Sequence, residues 1–208
     1  MSVIEKLASS LNRRDEVPNQ QLAKELAGKN DVHSIQELIE NCSNKNKNIQ
    51  SDCIKVLYEI ALLKPQLVAN YIKEFIALLD NKNNRMVWGA MTAIDEITLQ
   101  KPKEVYAALP KIIEAADKGS VISRDHCVGI LIKLSSLKQY AENTFSLLLE
   151  QLKTCPVNQL PMYAENAMPV INGSNKVIFI KTLQSRLKEV EKETQQKRIE
   201  KVIKKLFK

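Results

Sequence analysis

Five carboxylates come first among the residues able to do chemistry: Asp52, Glu59, Asp95, Glu96 and Asp125. Paired carboxylates can share acid and base duties when their surroundings keep one protonated and the other ionised. No nucleophile, metal-ligand set or Gly-rich phosphate loop accompanies these five, so they read as a solvated helix face. The cysteines Cys42, Cys53, Cys127 and Cys155 form no CxxC pair, and neither His33 nor His126 joins them at ligand spacing. They read as small buried hydrophobes in a reducing compartment. The sequence therefore predicts no catalysis, no cofactor and no metal centre. Trp88 remains to be explained. It is the only tryptophan and lies in VWGAMTAIDEITLQKP at 87–102.

The elements that position these residues follow from a repeat. Sliding the sequence by 37 residues brings apolar positions into register. Cys53, Ala90, Cys127 and Ala164 form a small-residue column. Leu57, Ile94, Leu131 and Met168 form a large one, and Ile60, Ile97, Leu134 and Ile171 another. These are positions i, i+4 and i+7, one stripe of an α-helix. An earlier helix contributes Leu38, Phe75, Ile112 and Leu149. Each unit is therefore helix A, turn, helix B, turn. The A helices are expected near 32–43, 68–80, 104–118, 142–154 and 176–191. The B helices are expected near 49–63, 85–99, 122–138 and 160–171, with a last helix near 195–206 and two leading ones near 3–12 and 18–28. Asn-rich turns at 41–48 and 80–85 supply caps, and Lys64-Pro65 and Lys101-Pro102 close B helices. Pro169 should end or kink the fourth B helix. A single pair cannot bury its stripe, so pairs must stack. The fold class is all-α, an α-solenoid of antiparallel helix pairs. One domain over 1–208 is expected, with capping helices at 1–30, repeats at 31–180 and basic capping helices at 181–208.

The segment VWGAMTAIDEIT at 87–98 closely resembles the second helix of a HEAT repeat, and LLDN at 78–81 the end of its first. SRDHCVGILIKLS at 123–135 departs at Arg124, where valine is usual, and Trp88 stands where arginine is frequent. The period is short for HEAT repeats and long for tetratricopeptide repeats, so the chain resembles the HEAT-like and armadillo-like class as a whole. The resemblance implies that B helices line a concave, binding side.

On that side the helical wheel places Tyr58, Trp88, Thr92, Asp95, His126, Ile132, Met162 and Tyr163 as candidate partner-binding residues. Trp88 is either an exposed aromatic anchor among them or a cover over the junction between B helices. The net charge of +7 is a tail property: residues 181–208 carry 10 Lys+Arg and 4 Asp+Glu, a net of +6, which leaves +1 for 1–180. Lys197, Arg198, Lys201, Lys204 and Lys205 lie beside the apolar stripe Ile199, Val202, Ile203, Leu206. They read as an anionic-partner surface, nucleic acid or membrane, or as the soluble face of a capping helix. No apolar run spans a bilayer and the N-terminus lacks a signal-peptide pattern, so a cytoplasmic monomer is expected. The expected function is non-catalytic protein binding or scaffolding. The alternative is nucleic-acid binding, as in the HEAT-like alkylpurine DNA glycosylases, against which the near-neutral body speaks.

Overall fold

A computed structural model describes residues 2–207. Twelve α-helices and four short 3-10 turns make up the described regular structure, and no strand occurs among the described residues. The chain divides into two compact units, one up to Cys127 and one from Val128.

The first unit begins with a 3-10 turn at Val3–Lys6 where a longer helix over 3–12 is expected. The chain stops turning at Asn12, which adopts the left-handed conformation with φ 55°. Arg13 N then donates back to Ala8 O at 2.8 Å, the closing bond of a helix-terminating turn. Helix α1 (Val17–Lys29) follows and ends the same way at Asn30, φ 51°. The first pair is α2 (Val32–Asn41) and α3 (Lys47–Leu63). The second is α4 (Ile72–Leu78) and α5 (Asn84–Ile97). The Asn-rich turns between them are built alike. Asn44 and Asn81 each accept from the backbone N–H two residues on, at 2.9 and 2.8 Å. Asn46 and Asn83 then cap α3 and α5, accepting from Asn48 N and Arg85 N at 2.9 and 3.0 Å.

The third A segment is two helices, α6 (Pro102–Ala107) and α7 (Leu109–Lys118), where the periodicity predicts one. Pro110 explains the break. It has no N–H to donate to Tyr106, and its ring would collide with that carbonyl. Two or three helices per repeat is the range of HEAT and armadillo repeats. Helix α8 (Val121–Ser135) follows.

The second unit holds α9 (Ala141–Thr154), α10 (Leu160–Ala167), α11 (Lys176–Leu187) and α12 (Glu193–Leu206). Helix α10 gives way at Met168–Val170 to a 3-10 turn around Pro169, as that proline requires. Arg186 ties this unit together from the inside. Its Nη1 donates to the carbonyls of Leu152 and Cys155 at 3.0 and 2.8 Å, capping the end of α9. Its Nη2 pairs with Glu189 Oε2 at 2.6 Å.

The columns read from the period form the core, except in the fourth repeat, where Met168 and Ile171 are half-buried. Cys53, Ala90, Cys127, Ala164, Leu57, Ile94, Leu131, Ile60, Ile97 and Leu134 are fully buried, as are Leu38, Phe75 and Ile112. In the first unit α5 packs on α3 and α4, and α3 also packs on α1 and α2. The architecture is thus an all-α solenoid of antiparallel helix pairs repeating about every 37 residues.

Candidate binding face

Trp88 lies one turn into α5, beyond the Asn83 cap, and is half-buried. Beside it Gly89 faces α3. A Cβ there would stand 2.7 Å from Ile54 Cγ1, so the glycine lets the two B helices approach closely. That approach lays Trp88 on Tyr58, with ring centroids 5.5 Å apart and planes inclined at 53°. Lys55 Nζ sits 4.7 Å from the centroid of the Tyr58 ring. The same ammonium pairs with Glu16 Oε2 at 2.8 Å and Glu59 Oε1 at 2.7 Å, and Arg85 Nη2 takes Glu16 Oε1 at 2.6 Å. Burial of Lys55 works against its charge, but the Glu16 and Glu59 carboxylates outweigh it and hold the amine above its ordinary range. Burial pushes the Tyr58 phenol up.

A second cluster links α5 to α8. His126 Nδ1 lies 2.9 Å from Asp95 Oδ2, and its Nε2 lies 2.9 Å from Thr92 Oγ1. Hydroxyl, imidazole and carboxylate in that order is the arrangement of a nucleophile, its base and the group that orients the base. Here Thr92 is buried, and its hydroxyl also donates to Trp88 O at 2.9 Å within its own helix. The cluster therefore works as a tie between helices. The 37-residue register aligns His126 with Gly89, one turn before Thr92 and two before Asp95, but does not itself bring the three side chains together.

The candidate residues thus separate. Trp88 is half-buried and lies against Tyr58. Tyr58, Thr92 and Asp95 are buried, contrary to their placement on an open face. The physical reason is that α3 and α5 each have helices beside them as well as beneath, so lateral wheel positions are covered. In the second unit Ile132 and Met162 are half-buried, whereas Tyr163 is 1% exposed and belongs to the core. Helix α10 packs against α9 and α12, which encloses positions 160, 161, 163, 164 and 167. In the first unit Ser51, Trp88 and Asp125, which share a column, are half-buried, as is Met162 in the second. Glu59, Glu96 and Lys133 form another.

Three of the five carboxylates are engaged with neighbouring helices or with their own turn. Asp52 accepts from Ser9 N at 2.8 Å and Asn19 Nδ2 at 2.7 Å. Glu59 holds Lys55 and Asp95 holds His126. The four cysteine thiols are all buried, and burial pushes those of Cys42 and Cys127 up to about 12. In the tail, Arg198 is committed to Glu165 by two bonds of 3.0 and 2.6 Å, and Lys197 pairs with Glu193 at 2.6 Å.

No protein-family model matches the chain, and no curated protein matches it. Solved structures do match. A designed armadillo repeat protein in complex with the peptide (KR)4 is 15% identical, with a TM-score of 0.67 and 100% of each chain covered. Another designed armadillo repeat protein is 14% identical, with a TM-score of 0.64 and 98% of each chain covered. An engineered protein is 15% identical, with a TM-score of 0.65, covering 100% of this chain and 97% of the other. At such identities the likeness speaks for the fold, and the fold is an armadillo/HEAT-like helical repeat.

Proposed function

We propose that the chain is a non-catalytic binding module that takes a peptide segment of a protein partner along the outward edge of the B helices in its first unit. The observation that carries this reading is Trp88. It is a large aromatic side chain, half-exposed yet fixed from below by Tyr58 and the Lys55 cluster. A rigid aromatic loses little freedom on binding and offers much area, which is the character of an interface hot spot. Repeat-equivalent positions continue the strip, and the armadillo repeat neighbour bound to a peptide supports the same mode of use.

Charge favours protein over nucleic acid at this edge. Lys55 is taken up by Glu16 and Glu59, Arg85 by Glu16, and Arg124 by Asp117 at 3.5 Å. A phosphate backbone needs cations with no prior partner, and these have theirs. The peptide (KR)4, bound by an armadillo repeat neighbour, is the first probe. Saturable binding by calorimetry is expected, reduced at least tenfold in Trp88→Ala while the melting temperature moves by only a few degrees. Equal affinity of the two proteins would remove Trp88 from the site. Preference for duplex DNA over every peptide tried would replace the reading.

A further inference from the structure

Helices α11 and α12 form an antiparallel hairpin, joined by the short segment 188–192 and packed on each other. The first turn of α11 and the last turn of α12 therefore lie at the same end. Two independent features meet there. The first is apolar. Among the described residues the second unit has three exposed large hydrophobic side chains, Val177 at 60%, Ile178 at 50% and Phe207 at 69%, and all three are at this end. Elsewhere in the hairpin Phe179, Leu183, Ile199 and Val202 are buried, so the unit is able to cover such residues. The second feature is charge. Lys176 and Lys181 on α11 and Lys201, Lys204 and Lys205 on α12 surround the apolar tip, and all but the half-buried Lys176 are exposed. Among the described residues, none of these five has a carboxylate within salt-bridge distance. Residues 166–188 and 201–207 contain no Asp or Glu at all. Glu165, close enough to feel Lys201 and Lys205, is held by Arg198, and the Arg198 guanidinium is the main cause of its depressed pKa.

An apolar tip ringed by unpaired lysines has two needs that one partner meets together. Phosphate oxygens of a polynucleotide satisfy lysines but leave exposed valine, isoleucine and phenylalanine in water. An anionic lipid surface offers headgroup charge to the lysines and an acyl boundary to the apolar side chains. Lysine, a hydrated point charge on a flexible stem, also suits a diffuse negative surface better than a geometric fork of acceptors. From the coincidence of Val177, Ile178 and Phe207 with Lys201, Lys204 and Lys205 at one end of the hairpin, we infer that the α11–α12 tip is a docking site for anionic membrane surfaces. The protein lies on the bilayer there and does not cross it; no helix is long and apolar enough to do so.

The test is sedimentation of the full chain with vesicles of about one-third phosphatidylserine in phosphatidylcholine, against pure phosphatidylcholine. Binding is expected only to the anionic vesicles. Each lysine contributes about fivefold, so Lys201→Gln with Lys204→Gln and Lys205→Gln should weaken partition on the order of 100-fold. Val177→Ser with Phe207→Ser should abolish the part of the binding that survives about 1 M salt, where charge is screened. All five positions are exposed, and an unchanged circular dichroism melt confirms that the variants fold. Absence of sedimentation, equal sedimentation with neutral vesicles, or wild-type partition of the lysine variant overturns the inference. Duplex DNA binding that the lysine variant loses, with no vesicle binding by wild type, assigns the lysines to nucleic acid and overturns it as well.

Discussion

Replacing Gly89 by alanine tests the close approach of α3 and α5 on which the position of Trp88 depends. The new methyl would stand 2.7 Å from Ile54 Cγ1, 3.4 Å from Ile54 Cγ2 and 3.5 Å from Tyr58 Cδ1. Carbon atoms rest about 3.5–4.0 Å apart, so only the first contact is violated, by roughly 1 Å. Ile54 is fully buried and β-branched, with one favoured χ1 rotamer in a helix. It cannot swing aside, and the helices must part. Overpacking of this kind costs about 1–3 kcal/mol, and removal of a mid-helix glycine returns about 1 kcal/mol. The net expectation is a loss of up to about 2 kcal/mol, or as much as roughly 8 °C in melting temperature for a chain of this size. The assay is thermal and urea unfolding followed by fluorescence, because the only tryptophan is the residue next to the substitution. The native emission should also shift as Trp88 lifts from Tyr58. Ile54→Ala supplies the control. It removes both Cγ atoms and is destabilising by itself, but on that background Gly89→Ala should become neutral or stabilising. An equal cost of Gly89→Ala in both backgrounds, or a more stable single variant, would refute the packing account.

Substitutions at two further residues probe the clusters around the core. Lys55→Met should lose about 2 kcal/mol at pH 7, because Glu16 and Glu59 lose their shared cation while the methylene stem still packs. The folded-state pKa of Lys55 is raised, so its contribution is complete below its unfolded value of about 10.4 and is lost as pH rises through the folded value. Urea melts at neutral and strongly alkaline pH should therefore show the two proteins converging only in alkali. Arg186→Lys should lower stability by about 1–2 kcal/mol, since one ammonium cannot reproduce the guanidinium fork that serves Leu152 O, Cys155 O and Glu189 together. Arg186→Ala should cost more, as it orphans the buried carbonyls; a wild-type melt of the lysine variant would show that the cap contributes nothing.

The period and the core columns were legible because they rest on sterics: a helix pair must bury a stripe, and the stripe must recur. The A–B turns and Pro169 were legible for the same local reason. Pro110 carried an equally local signal, but the apolar rhythm ran unbroken across it and predicted one helix where two form. The candidate face was less legible. A helical wheel ranks positions against one core direction, and α5 has neighbours in three. Tyr58, Thr92 and Asp95 thus read as outward and are covered by adjacent B helices, while Trp88 keeps an edge. The His126 cluster depends on side chains from different repeats leaning along the helix, which column alignment does not represent.

The four buried thiols have a use as native chronometers. Cys42 and Cys53 lie early in the array, Cys127 closes the first unit, and Cys155 lies in the second. A thiol that is covered meets an alkylating reagent only when its own repeat opens. In a linear array opening can begin at either end or at a weak junction, and nothing requires the repeats to open together. The order in which the four sulfurs are labelled under native conditions therefore records where this solenoid frays first, repeat by repeat, without introducing a single foreign residue.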